Sequence, residues 1–506
     1  MGIYINFEKP FRLDKRMNFT LKYTFIIALL IHLFLIVNGL QNVDSMWGTY
    51  YSKFDSSDVG RFTLSYLSGL SSYFDLQYFN SLLSIIYLSI TTMLLVELFD
   101  IKNKWLIGLF IILYTAFPSV SGTLTYSFLT DAYFLSTLLV VISIYIIKMR
   151  SNWLTVSVAP ILIYISLGTY QANLAYLITL LIILFIKDVI HHSILKKFYI
   201  QSAFITILGL LFYVIHYKIY ERTNSLSTYQ GVNEAGNISL ATILEAFKKA
   251  IDSFIMYFFG SFEFTNLFEI LNLLIVILLV LGIILIALIK KLNLVQCIFI
   301  LLSLIALPFT IFIMYFISSN LFYHNLMIHQ MTFIYGLVIV IIELLLLENK
   351  MYINTIISRT GFVVLFLISF NLVIITNIYY EKLDTINKQT FSILNHVAYD
   401  IKNIEGYTDE MQVMLVGDPS LILTPIPLYD QKTPPMSAGT SQYLVNSSSK
   451  FSNYLRFFIG LHNPPAFDEA EILSRNKDEI DNLPQWPSKE YIKVIEGVIV
   501  IKFPLQ

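Results

Sequence analysis

The segment Phe54-Asp55-Ser56-Ser57-Asp58-Val59-Gly60-Arg61-Phe62 sets two carboxylates and a guanidinium just beyond the first long apolar run of a 506-residue chain. Charges are costly to hold beside hydrocarbon, so opposite signs gathered there mark a place where a polar substrate is handled. A carboxylate in such a cluster can take a proton from a hydroxyl, and Asp58 is chosen for this over Asp55. Arg61 brings a planar fork of donors that suits a phosphate. Pro118, Gly122, Thr125, Tyr126, Ser127, Thr130 and Asp131 form a second polar group between the third and fourth apolar runs. Asp131 is there either a first-turn carboxylate stabilised by the helix dipole or a second acid facing the same cavity as Asp58. A third group, Ser166-Leu167-Gly168-Thr169-Tyr170-Gln171-Ala172-Asn173, joins two apolar runs. Tyr170 and Gln171 each both donate and accept, which suits polyhydroxylated ligands, and hydrogen bonds between helices are the plainer alternative.

Histidine and cysteine add little metal chemistry. His324 and His329 are five residues apart and so do not share a helical face, which disfavours a zinc pair and leaves His324 as a single phosphate or substrate contact. Cys297 is the one cysteine, so neither a disulfide within the chain nor a cysteine metal site can form. His191 and His192 lie among Lys187, Lys196 and Lys197, where anionic headgroups are the ordinary partner. No phosphate-binding glycine loop or nucleotide fingerprint appears, and a net charge of -1 gives no reason to expect nucleic acid.

These residues must be positioned by helices in a bilayer. With 56% hydrophobic and 13% charged residues the chain is too apolar for a water-soluble fold of its length. Its apolar runs are about 17 to 24 residues long, enough to cross a hydrocarbon core of roughly 30 Å. Spans are expected near 20–41, 79–99, 104–120, 132–148, 153–168, 170–187, 199–216, 267–289, 294–317, 327–347 and 360–379. With the N-terminus inside, the cytoplasmic segments hold sixteen Lys and Arg and the external loops before residue 380 hold six, which favours this orientation. The basic-then-apolar start reads as an uncleaved anchor. The first external loop, 42–78, carries apolar residues from Phe62 to Phe74 at the spacing of a short interfacial helix, and the second, 217–266, repeats that pattern from Ile243 to Phe258. Residues 1–379 thus form a transmembrane domain. From residue 380 prolines and polar residues increase, and 380–506 reads as an external α/β domain: a helix over 381–404, a strand at Gln412–Gly417 and a terminal hairpin over Ile492–Ile501 with Glu496-Gly497 at its turn.

Four stretches in this order resemble one known pattern: the acidic first loop ending in Gly60-Arg61, Pro118 to Asp131, Ser166 to Ala172, and an entry to the tail running from Asn371 and Tyr379 to Gly406-Tyr407 and Val413–Gly417. The chain resembles the bacterial Gtr-type glucosyl transferases of the GT-C glycosyltransferase superfamily. It departs from the family pattern at Phe128-Leu129-Thr130-Asp131 and in having His324 and His329 where a basic residue is usual. The resemblance implies an α-helical, polytopic, GT-C-like enzyme of the bacterial plasma membrane. This enzyme would move a hexose, glucose by the family, from a polyprenyl-phosphate donor to a surface glycan acceptor at the outer face. Neither cofactor nor metal is implied. Asp58, Asp55 and Asp131 would be its catalytic carboxylates, and Arg61, Tyr126, Tyr170, Gln171 and His324 would bind donor phosphate and sugar. The competing readings are a transporter or flippase of lipid-linked saccharide, which would place ionisable residues at span centres, and a polysaccharide polymerase.

Overall fold

The structure, a computed structural model, describes residues 13–505 except 41, 48–55, 69, 71–73, 150–152, 235, 237–238, 319, 349–351, 423–428, 430–432 and 435–444. Asp55 therefore lies outside the described residues. In chain order the helices are α1 (Lys15–Asn38), α2 (Leu64–Leu67), α3 (Gln77–Phe99), α4 (Lys104–Thr115), α5 (Pro118–Leu124), α6 (Thr130–Met149) and α7 (Trp153–Thr169). They continue as α8 (Asn173–Ile190), α9 (Lys196–Thr223), α10 (Leu240–Phe259), α11 (Leu267–Ile289), α12 (Leu294–Ile311), α13 (Thr332–Leu347) and α14 (Tyr352–Lys402).

Among the described residues nine helices are long and apolar enough to cross a bilayer, and α4 with α5, bent by 49°, passes the same test only as a pair. The stretch expected at 153–168 is a shorter apolar helix. The chain is thus a polytopic helical membrane protein. The bend has a local cause: a residue before proline is pushed out of the helical region, and Phe117 before Pro118 adopts φ -64°, ψ 142°. Pro118 then opens α5 at a position where its missing N–H costs nothing. In α12 the helix ends at Ile311, short of the expected 317, three residues after an internal Pro308, and a 3-10 turn, Ile313–Phe316, follows.

Burial ranks the helices. The α13 window is 89% buried and α8's is 78%, so these form the centre, whereas those of α9 and α12 are 22% buried. The outer faces of these two expose Ile207, Leu211, Ile215, Leu301 and Ile305, as lipid-facing helices should. His32 ties three helices together: Nε2 lies 3.0 Å from the Thr115 carbonyl and Nδ1 2.6 Å from the Tyr380 hydroxyl. Only the tautomer with the proton on Nε2 satisfies both. At the end of the bundle that holds the N-terminus of α1, Arg16 donates to Glu97 and Asp100 while Glu343 accepts the Lys102 and Asn103 amides.

Two expected loop features differ in form. The interfacial helix after Arg61 is the single turn α2 among the described residues, with Leu64 buried and Tyr66 and Leu70 exposed. The second loop does hold an amphipathic helix, α10, started by a Ser239–Thr242 capping box. Its exposed Leu244, Phe247 and Ile251 run beside Lys248 and Lys249.

The span at 360–379 and the helix at 381–404 are one helix, α14, 51 residues long, because no glycine or proline interrupts Phe362 to Lys402. Beyond it β1 (Gln412–Val416) pairs parallel to β3 (Val498–Lys502), which pairs antiparallel to β2 (Ile492–Ile495), giving the order β1-β3-β2. Glu496 and Gly497, with φ of 51° and 79°, make the tight turn of that hairpin. The helix α15 (Ser448–Tyr454) packs on this sheet through Phe451 and Leu455, in an apolar core separate from that of the bundle.

Candidate active site

The Arg61 segment is a small hairpin. Ser56 and Arg61 form an antiparallel bridge around the 3-10 turn Ser57–Val59, closed by Gly60 at φ 78°. Gly60 is required twice over. Its positive φ disfavours a side chain, and a Cβ there would meet the Tyr213 hydroxyl at 2.7 Å and Gln171 Nε2 at 2.9 Å. Those two groups grip the turn: Tyr213 donates to the Gly60 carbonyl at 3.1 Å and Gln171 to the Val59 carbonyl at 2.6 Å. On the far side Thr63 N donates to the Gly168 carbonyl at 2.9 Å, and Phe62 stacks on His216 with centroids 4.2 Å apart.

So held, Arg61 donates from Nη1 to the Tyr133 hydroxyl at 3.1 Å, and its guanidinium lies 5.5 Å from the centre of the Tyr170 ring. Tyr133 and Tyr170 stack at 4.6 Å. Among the described residues no carboxylate pairs with Arg61, and its Nε is buried without a partner. Two more buried polar atoms nearby also lack partners, the Tyr170 hydroxyl and His324 Nδ1. All three side chains line a cavity of about 260 Å³ whose walls are otherwise mainly apolar, among them Leu210, Val214, Ile317 and Leu321. Burial, then the Arg61 charge, pushes His324 down to about 4, so its ring is neutral at pH 7. A smaller polar pocket of about 30 Å³ adjoins behind Tyr170, lined by Thr123, Thr137, Asn173 and Gln330 among others.

The structure brings Arg61, Tyr170, Gln171 and His324 to one cavity. Tyr126 stands beside it. Burial, then the Asp44 carboxylate, raises its phenol above the ordinary value, with Arg61 opposing. Asp58 does not join them: its side chain is exposed at the tip of the hairpin, where its backbone carbonyl accepts Ser227 N at 3.0 Å. Asp131 is buried in the first turn of α6, accepting the Ala132 amide at 2.9 Å and the Leu70 amide at 3.4 Å. Gln171 lines the cavity while its amide is spent on Val59.

Sequence reasoning passed over Asp44, Tyr133, Asp75 and Tyr229, the last a further residue of the cavity wall. Asp44 sits in a 3-10 turn, Val43–Trp47, directly after α1, within electrostatic reach of Tyr126 and Tyr133. Asn42 builds that turn by accepting the Asp44 and Ser45 amides while donating to Thr125 at 3.0 Å. The Asn-x-Asp spacing at the exit of the first span was the available signal. Asp75 accepts from Ser127 at 2.9 Å and leaves its other oxygen buried and unpartnered. Burial pushes its carboxyl up to about 6, against the Ser127 hydrogen bond.

A family model described as Glucosyl transferase GtrII matches residues 33–342, well over half of the chain, from within α1 to within α13. No curated protein and no solved structure matches.

Two outcomes follow from this geometry. Gly60→Ala should displace Arg61 at a cost above about 1 kcal/mol, a factor of about five in any equilibrium that uses the guanidinium; ligand affinity by titration checks this. Asp75, raised above its unfolded value, contributes stability that is complete below about pH 4 and lost as pH rises through about 6. Asp75→Asn should therefore raise the melting temperature in detergent at pH 8 by roughly 2 °C and give no gain at pH 4.

Proposed function

The chain belongs to the GtrII glucosyl transferase family, and on that premise we propose that this membrane glycosyltransferase takes glucose from a polyprenyl-phosphate donor and passes it to a surface glycan at the outer face of the plasma membrane. The observation that carries this reading is the set of three unpartnered polar atoms, on Arg61, Tyr170 and His324, around one largely apolar cavity. A lipid monophosphate asks for that combination: an oily channel for the chain and a fixed cation with spare donors for the headgroup. Tyrosines rather than carboxylates surround Arg61, so its charge is left for the ligand. The outer-face assignment rests on the excess of Lys and Arg at the opposite end of the bundle.

In the reaction so proposed, the acceptor hydroxyl attacks the anomeric carbon as the bond from that carbon to the phosphate oxygen breaks. The electron pair leaves with the lipid phosphate, whose growing charge Arg61 meets. The hydroxyl proton passes to a carboxylate, and the transition state has oxocarbenium character with inversion in a single step. Asp44 is the better placed base. It lies within electrostatic reach of Tyr126 and Tyr133, on a turn bonded to Thr125 and held by an ammonium, whereas Asp58 is exposed at the hairpin tip and Asp131 is engaged with the Leu70 amide. His324, neutral, supplies a hydrogen bond to phosphate or sugar without adding charge.

Transfer assays in membranes with radiolabelled polyprenyl phosphoglucose test both roles. Arg61→Ala should raise the donor KM by roughly 10- to 100-fold, the cost of hydrogen bonds to a charged group. An unchanged KM would remove Arg61 from donor binding. Asp44→Asn should lower kcat by at least about 100-fold with Asp58→Asn near wild type; the reverse pattern would make Asp58 the base.

A further inference from the structure

Lys450 belongs to α15, in the part of the chain beyond the bundle, yet its ammonium lies 3.3 Å from Oδ1 of Asp44. The lysine is buried, with 4% of its surface exposed. A long flexible side chain ordinarily carries its charge out to water, and burying an ammonium costs several kcal/mol unless it is paired. Its placement is imposed from both sides. Ser447 caps α15 by accepting the Lys450 amide at 3.3 Å, Ser448 accepts the Leu415 amide of β1 at 2.9 Å, and Phe451 and Leu455 are fully buried against the sheet. Asp44 is fixed in turn by the Asn42 turn and its bond to Thr125. Burial draws the ammonium below its ordinary value, and Asp44 opposes that.

We propose that Lys450 is a positioning residue for the transfer step, holding the Asp44 carboxylate in place on the turn that Asn42 bonds to Thr125, so that the C-terminal part of the chain completes the active site. This rests on the reading of Asp44 as the base. Lys450 touches neither donor nor acceptor in this scheme, so its loss acts on the orientation of the base and appears in kcat rather than in KM. The match to the family model ends before this residue, at 342, so the coupling is carried by a part of the chain that the model does not cover.

The experiment is steady-state transfer by the full-length protein in membranes that carry their own acceptor, with a short-chain polyprenyl phosphoglucose as donor. Lys450→Met should lower kcat at least about tenfold while the donor KM stays within about twofold, and Lys450→Arg should restore most of the rate. Equal losses in the Met and Arg variants mean a packing role, and a loss confined to KM means donor binding; either overturns the proposal. Should Lys450→Met not accumulate, Lys450→Gln is read by the same criteria, since it keeps polarity without charge. Asp44→Asn is run beside them. Turnover retained in that variant sinks the base reading and the role of Lys450 with it, whereas an inactive Asp44→Asn beside a fully active Lys450→Met sinks the positioning role alone.

Discussion

Everything at the site depends on the grip that Gln171 and Tyr213 hold on two consecutive carbonyls, Val59 and Gly60. A guanidinium carried on a free loop would turn to water or to the nearest carboxylate. Here the backbone that bears Arg61 is clamped between the α7–α8 turn and α9, and only a residue without a side chain fits at the point of closest approach. The charge is thereby presented to a cavity with its Nε unspent. Holding a cation without an anion is costly in a poorly solvated place, and the stacked rings of Tyr133 and Tyr170 offset part of that cost through a hydrogen bond and a cation–π contact.

The bundle keeps the site's charges apart. Arg61 faces tyrosines, Asp44 faces Lys450, and Asp131 accepts backbone amides. If Asp44 paired directly with Arg61, each would satisfy the other, and neither proton acceptor nor phosphate partner would remain for a substrate. As it stands Arg61 meets the Tyr133 hydroxyl and the Tyr170 ring, while the cationic partner of Asp44 among the described residues is Lys450, a single ammonium on a carboxylate that keeps its other oxygen for a substrate. Asp75 is the exception, a carboxylate just before α3 that accepts from Ser127 through one oxygen and leaves the other buried and unpartnered.

The helices that frame this arrangement were legible because membrane spans announce themselves locally. Each expected span falls on an apolar helix or, for 104–120, on the bent α4–α5 pair, and the proline that bends it is visible in the chain. The terminal hairpin and its Glu496-Gly497 turn were legible for the same reason, since alternation and turn chemistry act between neighbours. The continuity of α14 was missed because a change of composition at residue 380 resembles a boundary, although nothing there breaks a helix.

By itself, then, the sequence determined that this is a polytopic helical protein with a small terminal sheet, and its motifs pointed to the glucosyl transferase family and to Arg61. Which side chains meet Arg61 at its cavity is a matter of tertiary structure alone. Asp58 is nearer in the chain but turns outward on the hairpin, while His324 comes from a distant segment to the Arg61 cavity and Lys450 comes from another to Asp44. Hydrophobic periodicity records what one helix buries and carries no record of which loops meet at its end. That meeting is fixed by helix packing, by the clamp on Gly60 and by the burial of Lys450, none of which leaves a spacing to read.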